Sequence, residues 1–483
     1  MPAKTQDFGQ KSWKFFQVHY TCVTWAAYFR GLKAGTLPDN DHTPAMFSTR
    51  RQFLRVAMAG AATLPLAGKI AATDLLTPPA DLQASDAALL NDIERAAFEY
   101  FWNEANPETG MVFDRAKADG GSNCKFSSIA ATGFGLTAMC IGYEREYRSR
   151  SQIEERVART LDFISRGVPT EHGFLYHFLD PASGQRVLRS EVSPIDTSIL
   201  LCGVLTCREY FREARIHRDA TTIYNRIDWP WALNGGKTFA TDWKPERQFS
   251  RVRWDSYCES MMMYLLAMGS PTHPIPPDSW NAIHRPKMVY RGHQYISGPD
   301  PLFVHQYSHA WFDFRSKHDD YANYFENSVI ASLAHREFCE ELSARFPCYS
   351  KDVWGISASE SSDGYVAWGG PPLLGPIDGS IVPAASAGSL PFLYRESMTV
   401  LRNLRRYYGS QIWKEYGFVD AFNPLTGWVS HDVIGIDVGI TMLMAENARS
   451  EFVWNTFMRN SEAKNAMELA GFLPDGFEVP AMA

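Results

Sequence analysis

Residues 254–269 read Trp-Asp-Ser-Tyr-Cys-Glu-Ser-Met-Met-Met-Tyr-Leu-Leu-Ala-Met-Gly, an almost wholly apolar run with an acid near its start. Read as a helix, this run places Glu259 on the same stripe as Met262 and Leu266. Asp255 then lies one turn earlier on the helix. A helix that is apolar on all sides is expected inside a protein. The stretch therefore predicts a core helix that carries a buried carboxylate.

Two interpretations of Glu259 follow from this position. Burial beside a second carboxylate raises the pKa of an acid, and a general acid must be protonated at neutral pH. Alternatively, Glu259 is structural and is satisfied by neighbouring arginines or backbone amides, since ion-pair networks also bury acids. The helix alone does not decide between the two.

Helical periodicity recurs along most of the chain, whereas long strand patterns are scarce. The most apolar helical segments begin near residues 127, 196, 254, 321, 387 and 437, and each has a more polar partner. The sequence therefore predicts an all-α fold, an (α/α)6 barrel of six helical hairpins whose inner helices are the apolar ones. A solenoid of helix pairs is the alternative, but no short repeat of fixed length is present. The predicted helices cover 86–105, 127–147, 151–166, 195–213, 218–227, 254–269, 276–285, 320–344, 387–407, 410–416, 437–449 and 451–470.

Long loops rich in glycine, proline and aromatic residues separate these helices. Loops of such length in a compact domain are usually functional, so we expect them to build one rim of the barrel around the site. They cover 107–126, 168–194, 229–253, 286–318, 348–386 and 417–436.

Composition excludes several classes of partner. The net charge of −7 and the absence of a long basic run argue against nucleic acid or an anionic membrane. An aromatic share of 13% suits sugar stacking, although large cores use aromatic residues as well. The eight cysteines form no CxxC pair, and the dense stretch 305–315 lacks metal-ligand spacing, so neither a metal nor a cofactor is predicted. A disulfide between Cys339 and Cys348 stays open.

The N-terminal region predicts export. Residues 49–55, Thr-Arg-Arg-Gln-Phe-Leu-Arg, form a twin-arginine pattern, and an apolar run too short to span a membrane follows them. We expect residues 1–45 to be an over-extended, disordered lead-in, residues 46–75 to be the signal peptide and residues 83–475 to be the catalytic domain. The mature protein is then periplasmic or secreted, without membrane attachment after cleavage. The oligomeric state is not predicted.

Acids also stand at two other predicted helix starts. Asp196 and Asp437 each begin an apolar helix, and each has helix N-capping as its structural alternative. Glu191 has no such structural explanation, because no helix begins at that residue. Two acids on facing inner helices are sufficient for glycoside hydrolysis, in which one protonates the leaving oxygen and the other activates water.

Motifs spread over residues 88–460 resemble the glucoamylase-like glycoside hydrolases, whose characterised members cleave β-1,2-glucans. They occur in the same order as in that family. The motifs are Tyr257-x-Glu259, Tyr264 to Pro274, His305-Gln306-Tyr307 with Trp311-x-Asp313-Phe314-Arg315, Tyr324 to Ser328, Trp354 to Ser359, Asp363-Gly364-Tyr365, Ala387 to Phe392, Tyr416 to Asn423 and Gly435-Ile436-Asp437.

This resemblance implies an anomer-inverting hydrolase with an (α/α)6 barrel. Glu259 matches the general acid of the family, and Asp437 matches the position proposed as general base. The substrate is then an oligo- or polysaccharide, most simply a β-1,2-glucan. The residues expected to bind the sugar are Arg115, Glu191, Asp196, Asp255, Tyr257, His305, Gln306 and Arg315, with Trp311 and Trp428 as stacking platforms.

Two departures from the family pattern affect the expected substrate. The usual Tyr-Asn-Glu is Tyr-Cys-Glu at residues 257–259, and the usual Gly-Ile-Asp-Gln-Gly-Pro is Gly-Ile-Asp-Val-Gly-Ile at residues 435–440. Both carboxylates remain, but each has lost a neighbouring amide, which leaves linkage and chain length open. Three alternatives therefore stand: a transglycosylase on β-1,2-glucan, a non-catalytic carbohydrate-binding protein, and a polysaccharide lyase that uses the histidine and tyrosine near residues 305–307.

Overall fold

The structure is a computed structural model that describes residues 84–121, 124–298, 301–371 and 375–476. The predicted lead-in (1–45) and signal peptide (46–75) lie outside these residues. Within the described ranges, no helix combines the length and apolar character needed to cross a bilayer. The helices there are α1 (Ala84–Asn103), α2 (Ile129–Glu144), α3 (Arg150–Arg166), α4 (Pro194–Tyr210), α5 (Ala214–Asn225), α6 (Trp229–Leu233), α7 (Met261–Met268), α8 (Asp278–Asn281), α9 (Tyr324–Leu342), α10 (Pro383–Ala387), α11 (Tyr394–Ile412), α12 (Gly435–Ser450), α13 (Phe452–Phe457) and α14 (Ser461–Leu469).

Six apolar elements form a closed inner ring, so the predicted (α/α)6 barrel is confirmed. Helix α2 packs against α4, α4 against α7, α10 against α12, and α12 against α2. Between α7 and α10, the ring position is taken by two 3-10 turns, Leu302–His305 and Ser308–Ala310. The Ser308 hydroxyl accepts from the Met262 amide of α7, and the Gln306 amide donates to the Ala385 carbonyl of α10.

Partner helices pack behind this ring. Helix α1 packs against α2 and α12, α5 against α4, α11 against α10, and α14 against α7. The prediction that the helix near residue 321 is an inner one is wrong, because α9 packs from outside against the first 3-10 turn and against strand β7 (His293–Ile296). An alternation of buried and part-exposed residues along α9 agrees with this outer position.

The tightest contact of the ring joins α2 and α4. A Cβ on Gly133 would lie 2.4 Å from the Ile199 carbonyl oxygen, and a Cβ on Gly203 would lie 2.1 Å from the Gly133 carbonyl oxygen. Only glycine lets the two backbones approach so closely. Serines cap both helices: Ser128 accepts from the Ala131 amide, and Ser193 accepts from the Asp196 amide.

Sixteen short strands in the described residues pair into eight two-stranded antiparallel sheets within the loops. They tie loops together rather than form a core. The register of β1 with β15 pairs Arg115 with Ile434, which brings an early loop to the start of α12. The strands are β1 (Arg115–Lys117), β2 (Ser127–Ser128), β3 (Phe178–Leu179), β4 (Trp243–Lys244), β5 (Gln248–Phe249), β6 (Lys287–Tyr290), β7 (His293–Ile296), β8 (Lys317–His318), β9 (Ser359–Ser361), β10 (Gly364–Val366), β11 (Trp413–Lys414), β12 (Gly417–Phe418), β13 (Phe422–Asn423), β14 (Trp428–Val429), β15 (Asp432–Ile434) and β16 (Leu473–Pro474).

Candidate active site

A cleft opens at the N-terminal ends of the inner helices. It has an empty volume of about 570 Å³, including the space at its opening to solvent. That size lies within the range of small-molecule sites in proteins. The N-terminal ends of helices favour negative charge, and four acids line this cleft. The lining residues are Asp114, Ser128, His177, Ile195, Asp196, Ile199, Glu259, Phe303, Tyr307, Ala358, Tyr365, Ile436 and Asp437.

Glu259 lies two residues before α7, in a turn, rather than inside a helix. Glu259 is 4% exposed, and its backbone carbonyl accepts a hydrogen bond from the Ser308 hydroxyl at 2.6 Å. The predicted helical start near residue 254 is wrong, because Tyr257 donates its amide to the His284 carbonyl and Ser256 bridges His284. The carboxylate therefore enters the cleft from the end of the inner helix.

Asp437 occupies the first turn of α12 and is buried. The N-cap position of α12 is Ile434, so the capping interpretation of Asp437 is wrong. Burial, followed by the charge of the neighbouring Asp420, raises the pKa of Asp437 well above its ordinary value. Asp420 is also buried, and burial raises its pKa to about 6. The two carboxyl groups lie within hydrogen-bonding reach of each other.

An arginine and two further acids surround this pair. Arg115 donates to Asp114 at 3.0 Å and to Glu360 at 2.7 Å. The Glu360 amide in turn donates to Asp420 at 2.7 Å. We refer to Asp437, Asp420, Asp114, Arg115 and Glu360 as the Asp437 cluster. One cation thus serves four acids, so the cluster is short of positive charge.

The α4 side of the cleft carries a second group of acids. His177 contacts Glu191 at 3.0 Å and Asp196 at 3.7 Å, and Lys244 contacts Glu191 at 3.4 Å. We refer to these four residues as the His177 network. Burial alone lowers the pKa of His177, but the charge of Asp196 and the hydrogen bond with Glu191 outweigh it and raise the pKa to about 9. The histidine is therefore a cation at neutral pH.

The two acids of the His177 network respond differently to this cation. Burial opposes the ionisation of Glu191, yet His177 and Lys244 hold the pKa of this carboxyl far below its ordinary value. For Asp196, burial dominates and raises the pKa. The capping interpretation of Asp196 is wrong as well, because Ser193 is the N-cap and donates its hydroxyl to Asp196 at 2.5 Å.

Several residues predicted to bind sugar lie in the core. Tyr257 contacts His305 at 3.0 Å, and Gln306 donates to the Ala385 carbonyl and the Ser389 hydroxyl. Trp311 is fully buried, and its indole N–H donates to Thr137 at 3.0 Å. The prediction that Trp311 stacks on a sugar is wrong, because the ring has no exposed face.

Three other predicted residues are part-exposed but do not line the cleft. Asp255 belongs to the extended segment beside His284, and its carbonyl accepts from the His284 amide at 2.8 Å. Arg315 pairs with Asp313 and Glu451. Trp428 lies in β14, opposite Asn423. Their sugar-binding roles stay predictions. Of the predicted set, the cleft brings together Glu259, Asp437 and Asp196, with Glu191 and Arg115 one contact behind.

The sequence did not single out His177 or Asp420. His177 stands alone in a loop, and its acidic partners are 14 and more residues away. Asp420 carried a usable signal, since it is an acid inside the apolar run Phe-Val-Asp-Ala-Phe, as Glu259 is in its own run. Among the described residues, no group of histidine, cysteine and acidic side chains is arranged to hold a metal ion. Cys339 and Cys348 are not bonded to each other.

These features define an (α/α)6-barrel protein with an acid-lined cleft at the starts of its inner helices. The glycoamylase family model, which describes glucoamylases, matches residues 251–461. That range includes both Glu259 and Asp437. The chain is therefore similar to this glucoamylase-like family over its C-terminal half, in agreement with the resemblance of its motifs.

Named relatives act on β-1,2-linked glucans. The chain is 28% identical over 426 residues to an exo β-1,2-glucooligosaccharide sophorohydrolase (non-reducing end) from Parabacteroides distasonis. This match covers 80% of the chain but only 58% of that relative, so the chain spans less than two thirds of the curated relative's length.

Two similar solved structures are also named as β-1,2-glucanases. The endo-β-1,2-glucanase of Chitinophaga pinensis, in complex with sophorotriose and glucose, is 28% identical, with a TM-score of 0.76 over 81% of the chain and 99% of that protein. A β-1,2-glucanase of Parabacteroides distasonis is 26% identical, with a TM-score of 0.76 over 80% of the chain and 60% of that protein.

Proposed function

We propose that this protein is an exported glycoside hydrolase that cleaves β-1,2-glucan with inversion of the anomeric centre. One observation carries the proposal. The carboxyl groups of Glu259 and Asp437 line a single cleft, although 178 positions separate them in the chain (437 − 259). An inverting glycosidase requires two carboxyl groups in one cleft, one as general acid and one as general base. The substrates named for the relatives support the choice of linkage.

In this mechanism Glu259 protonates the glycosidic oxygen as the bond to the anomeric carbon breaks. A water molecule attacks that carbon from the opposite face, and its proton passes to the Asp437 side of the cleft. His177 and Tyr365 also line the cleft and are available to position sugar hydroxyls.

The two departures from the family pattern lie outside the cleft lining. Cys258 is 2% exposed, and its sulfur lies 3.2 Å from the Ser260 hydroxyl. Val438 and Ile440 are buried as well. These replacements therefore change the packing behind the acids rather than the groups that face a substrate, which supports retention of the family's substrate class.

Product analysis tests the proposed function most directly. The protein is incubated with linear β-1,2-glucan and with β-1,3-, β-1,4- and β-1,6-linked glucans, and the anomeric configuration of fresh products is followed by NMR. We expect short β-1,2-linked products that are initially in the α configuration. Lack of product from every glucan would contradict the proposal. Longer products than the substrate would indicate a transglycosylase, and products that absorb in the ultraviolet would indicate a lyase.

Glu259→Gln tests the proposed acid. This change keeps the size of the side chain but removes its acidic proton, so we expect kcat on β-1,2-glucan to fall by roughly 10³-fold or more. On a β-glucosyl fluoride, whose leaving group needs no protonation, the variant should lose far less activity than on the glucan. Unchanged hydrolysis of the glucan by the folded variant would rule out the assignment.

Export is proposed from the twin-arginine pattern alone. Residues 46–75 fused to a reporter that requires folding before export should send it across the membrane. Replacing both Arg50 and Arg51 with lysine keeps the charge but removes the recognised pair, and should retain the reporter in the cytoplasm. Export of the lysine variant at the same level would contradict the proposal.

A further inference from the structure

Asp437 has a protonation problem if it acts alone as the base. A base must be ionised before it takes the proton of water. Burial and the nearby charge of Asp420 both favour its neutral form. The surroundings of Asp437 therefore disfavour the ionised form that a base requires.

Each acid of the pair has one carboxyl oxygen that no described donor reaches: Asp437 Oδ2 and Asp420 Oδ1. Both oxygens are buried, and an unsatisfied buried acceptor is unfavourable. The two carboxyl groups lie within hydrogen-bonding reach of each other and line the same cavity beneath the cleft. A single proton between the two groups satisfies both oxygens at once.

We propose that Asp420 and Asp437 share one proton at neutral pH and that Asp420 accepts this proton when Asp437 takes one from the attacking water. The inference rests on the proposed function, because Asp437 is the base of that reaction. It makes Asp420 a positioning residue, since Asp420 acts through Asp437 and does not line the cleft that holds the substrate.

The proton balance of the step is complete. One O–H bond of water breaks as its oxygen bonds to the anomeric carbon, and that proton bonds to Asp437. The proton already on Asp437 moves to Asp420, so the pair changes from one proton to two. Meanwhile Glu259 gives its proton to the leaving oxygen. Loss of one proton from the pair to solvent and uptake of one by Glu259 restore the starting state.

Fixed contacts hold Asp420 in place for this role. Its second oxygen, Oδ2, accepts from the Glu360 amide at 2.7 Å, and its own amide donates to the Asp432 carbonyl at 3.3 Å. Its residue is 4% exposed. The titratable and charged groups around the pair are Asp114, Arg115, Glu360 and Tyr416, and those that line the cleft with Asp437 are Glu259, Asp196, His177, Tyr307 and Tyr365.

Asp420→Asn tests the shared proton through the pH profile. The asparagine keeps an oxygen for the Glu360 amide, and its N–H₂ donates to Asp437 and stabilises the ionised form. We expect kcat at pH 7 to fall roughly 10- to 100-fold with KM within about twofold, and the acidic limb of the profile to move to lower pH. Asp420→Glu should restore part of kcat. A loss of kcat with an unmoved acidic limb, or no loss at all, would overturn the proposal.

Infrared difference spectroscopy tests the pair without any need for activity. The wild-type protein at pH 7 should show the C=O band of a buried protonated carboxyl that disappears in both Asp420→Asn and Asp437→Asn. Glu94→Gln is the matched control, because Glu94 is another buried acid with a raised pKa but lies in α1, and this change should leave both the band of the pair and the pH profile in place. Loss of the band in only one of the two aspartate variants would overturn the shared proton. A wild-type protein that shows the band but cleaves no glucan would instead contradict the proposed function alone.

Discussion

The Asp437 cluster and the His177 network bury their acids in the same cleft but balance the charge in opposite ways. In the His177 network, an imidazolium and Lys244 accompany two acids. In the Asp437 cluster, Arg115 is the cation for four acids and is bonded directly to Asp114 and Glu360. The remaining two acids of the cluster, Asp437 and Asp420, share a proton in our proposal.

This difference shows that burial alone does not set the state of an acid. Glu191 and Asp437 are both shielded from solvent, but the pKa of Glu191 is lowered and that of Asp437 is raised. The positive charges of His177 and Lys244 lower the pKa of Glu191 despite its burial. For Asp437, the neighbouring carboxyl group of Asp420 adds to the effect of burial and raises the pKa further. The network therefore suits binding of a polar ligand, whereas the cluster suits proton transfer.

The largest expected contrast concerns activity. Asp437→Asn removes the proposed base, so we expect kcat on β-1,2-glucan to fall by roughly 10³-fold with little change in KM. Added azide, which needs no base, should restore turnover and give the α-glycosyl azide. Asp196→Asn on the opposite wall should mainly raise KM. Equal effects of the two changes on kcat would contradict the assignment of catalysis to Asp437 and of binding to Asp196.

The His177 network predicts a stability change with pH. Its histidine has a folded-state pKa of about 9 against an ordinary value of 6.5, so its contribution is complete below pH 6.5 and is lost as pH rises through 9. The loss amounts to about 3 kcal/mol at most. Urea unfolding at pH 6.5 and 9.5 measures it, and His177→Gln should flatten the difference. An unchanged difference in that variant would assign the effect to another group.

Glu191→Gln should destabilise the fold by about 2 kcal/mol at pH 7, because it leaves His177 and Lys244 with less negative charge in a buried site. Glu246→Gln is the matched control, since Glu246 is an exposed acid paired with Arg186. Thermal unfolding compares the two variants. A loss of stability in the control as large as in Glu191→Gln would indicate that burial of the network is unimportant.

The smallest expected effect has the opposite sign. Because the folded-state pKa of Asp420 is raised to about 6, its ionisation destabilises the fold at every pH above its unfolded-state value, and the effect is complete by pH 7. Asp420→Asn should therefore stabilise the protein at pH 7 by about 1 kcal/mol while it lowers kcat. A destabilised variant would indicate that the Asp420 carboxylate is held by attraction, as Glu191 is.

Local sequence patterns predicted which segments form the inner ring better than they predicted where some of its helices begin and end. Helices α2 and α4 lie close to their predicted bounds because an apolar run follows a capping serine in both. The predicted start of α7 is too early because residues 255–257 pair with His284, a contact that no local pattern reveals. Residues 387–407 were read as one helix, but α10 ends at Ala387 and α11 begins at Tyr394, with Pro391 in the turn between them.

The site was predicted in part for the same reason. Glu259 and Asp437 were visible as acids at the edges of apolar runs, and both line the cleft. Their partners were not predicted, because His177 and Asp420 reach the cleft through long-range packing of loops. Trp311 was misassigned because an indole in the core and an indole on a sugar-binding surface look the same in sequence.

Because the cleft lies at the starts of the inner helices, the residues that determine specificity are separate from those that form the core. On α4 and α12, residues of the first turn line the cleft, while residues of the later turns are buried in the core. Randomising the residues of the first turns and of the turn before α7 would therefore sample new glycan specificities on an unchanged scaffold.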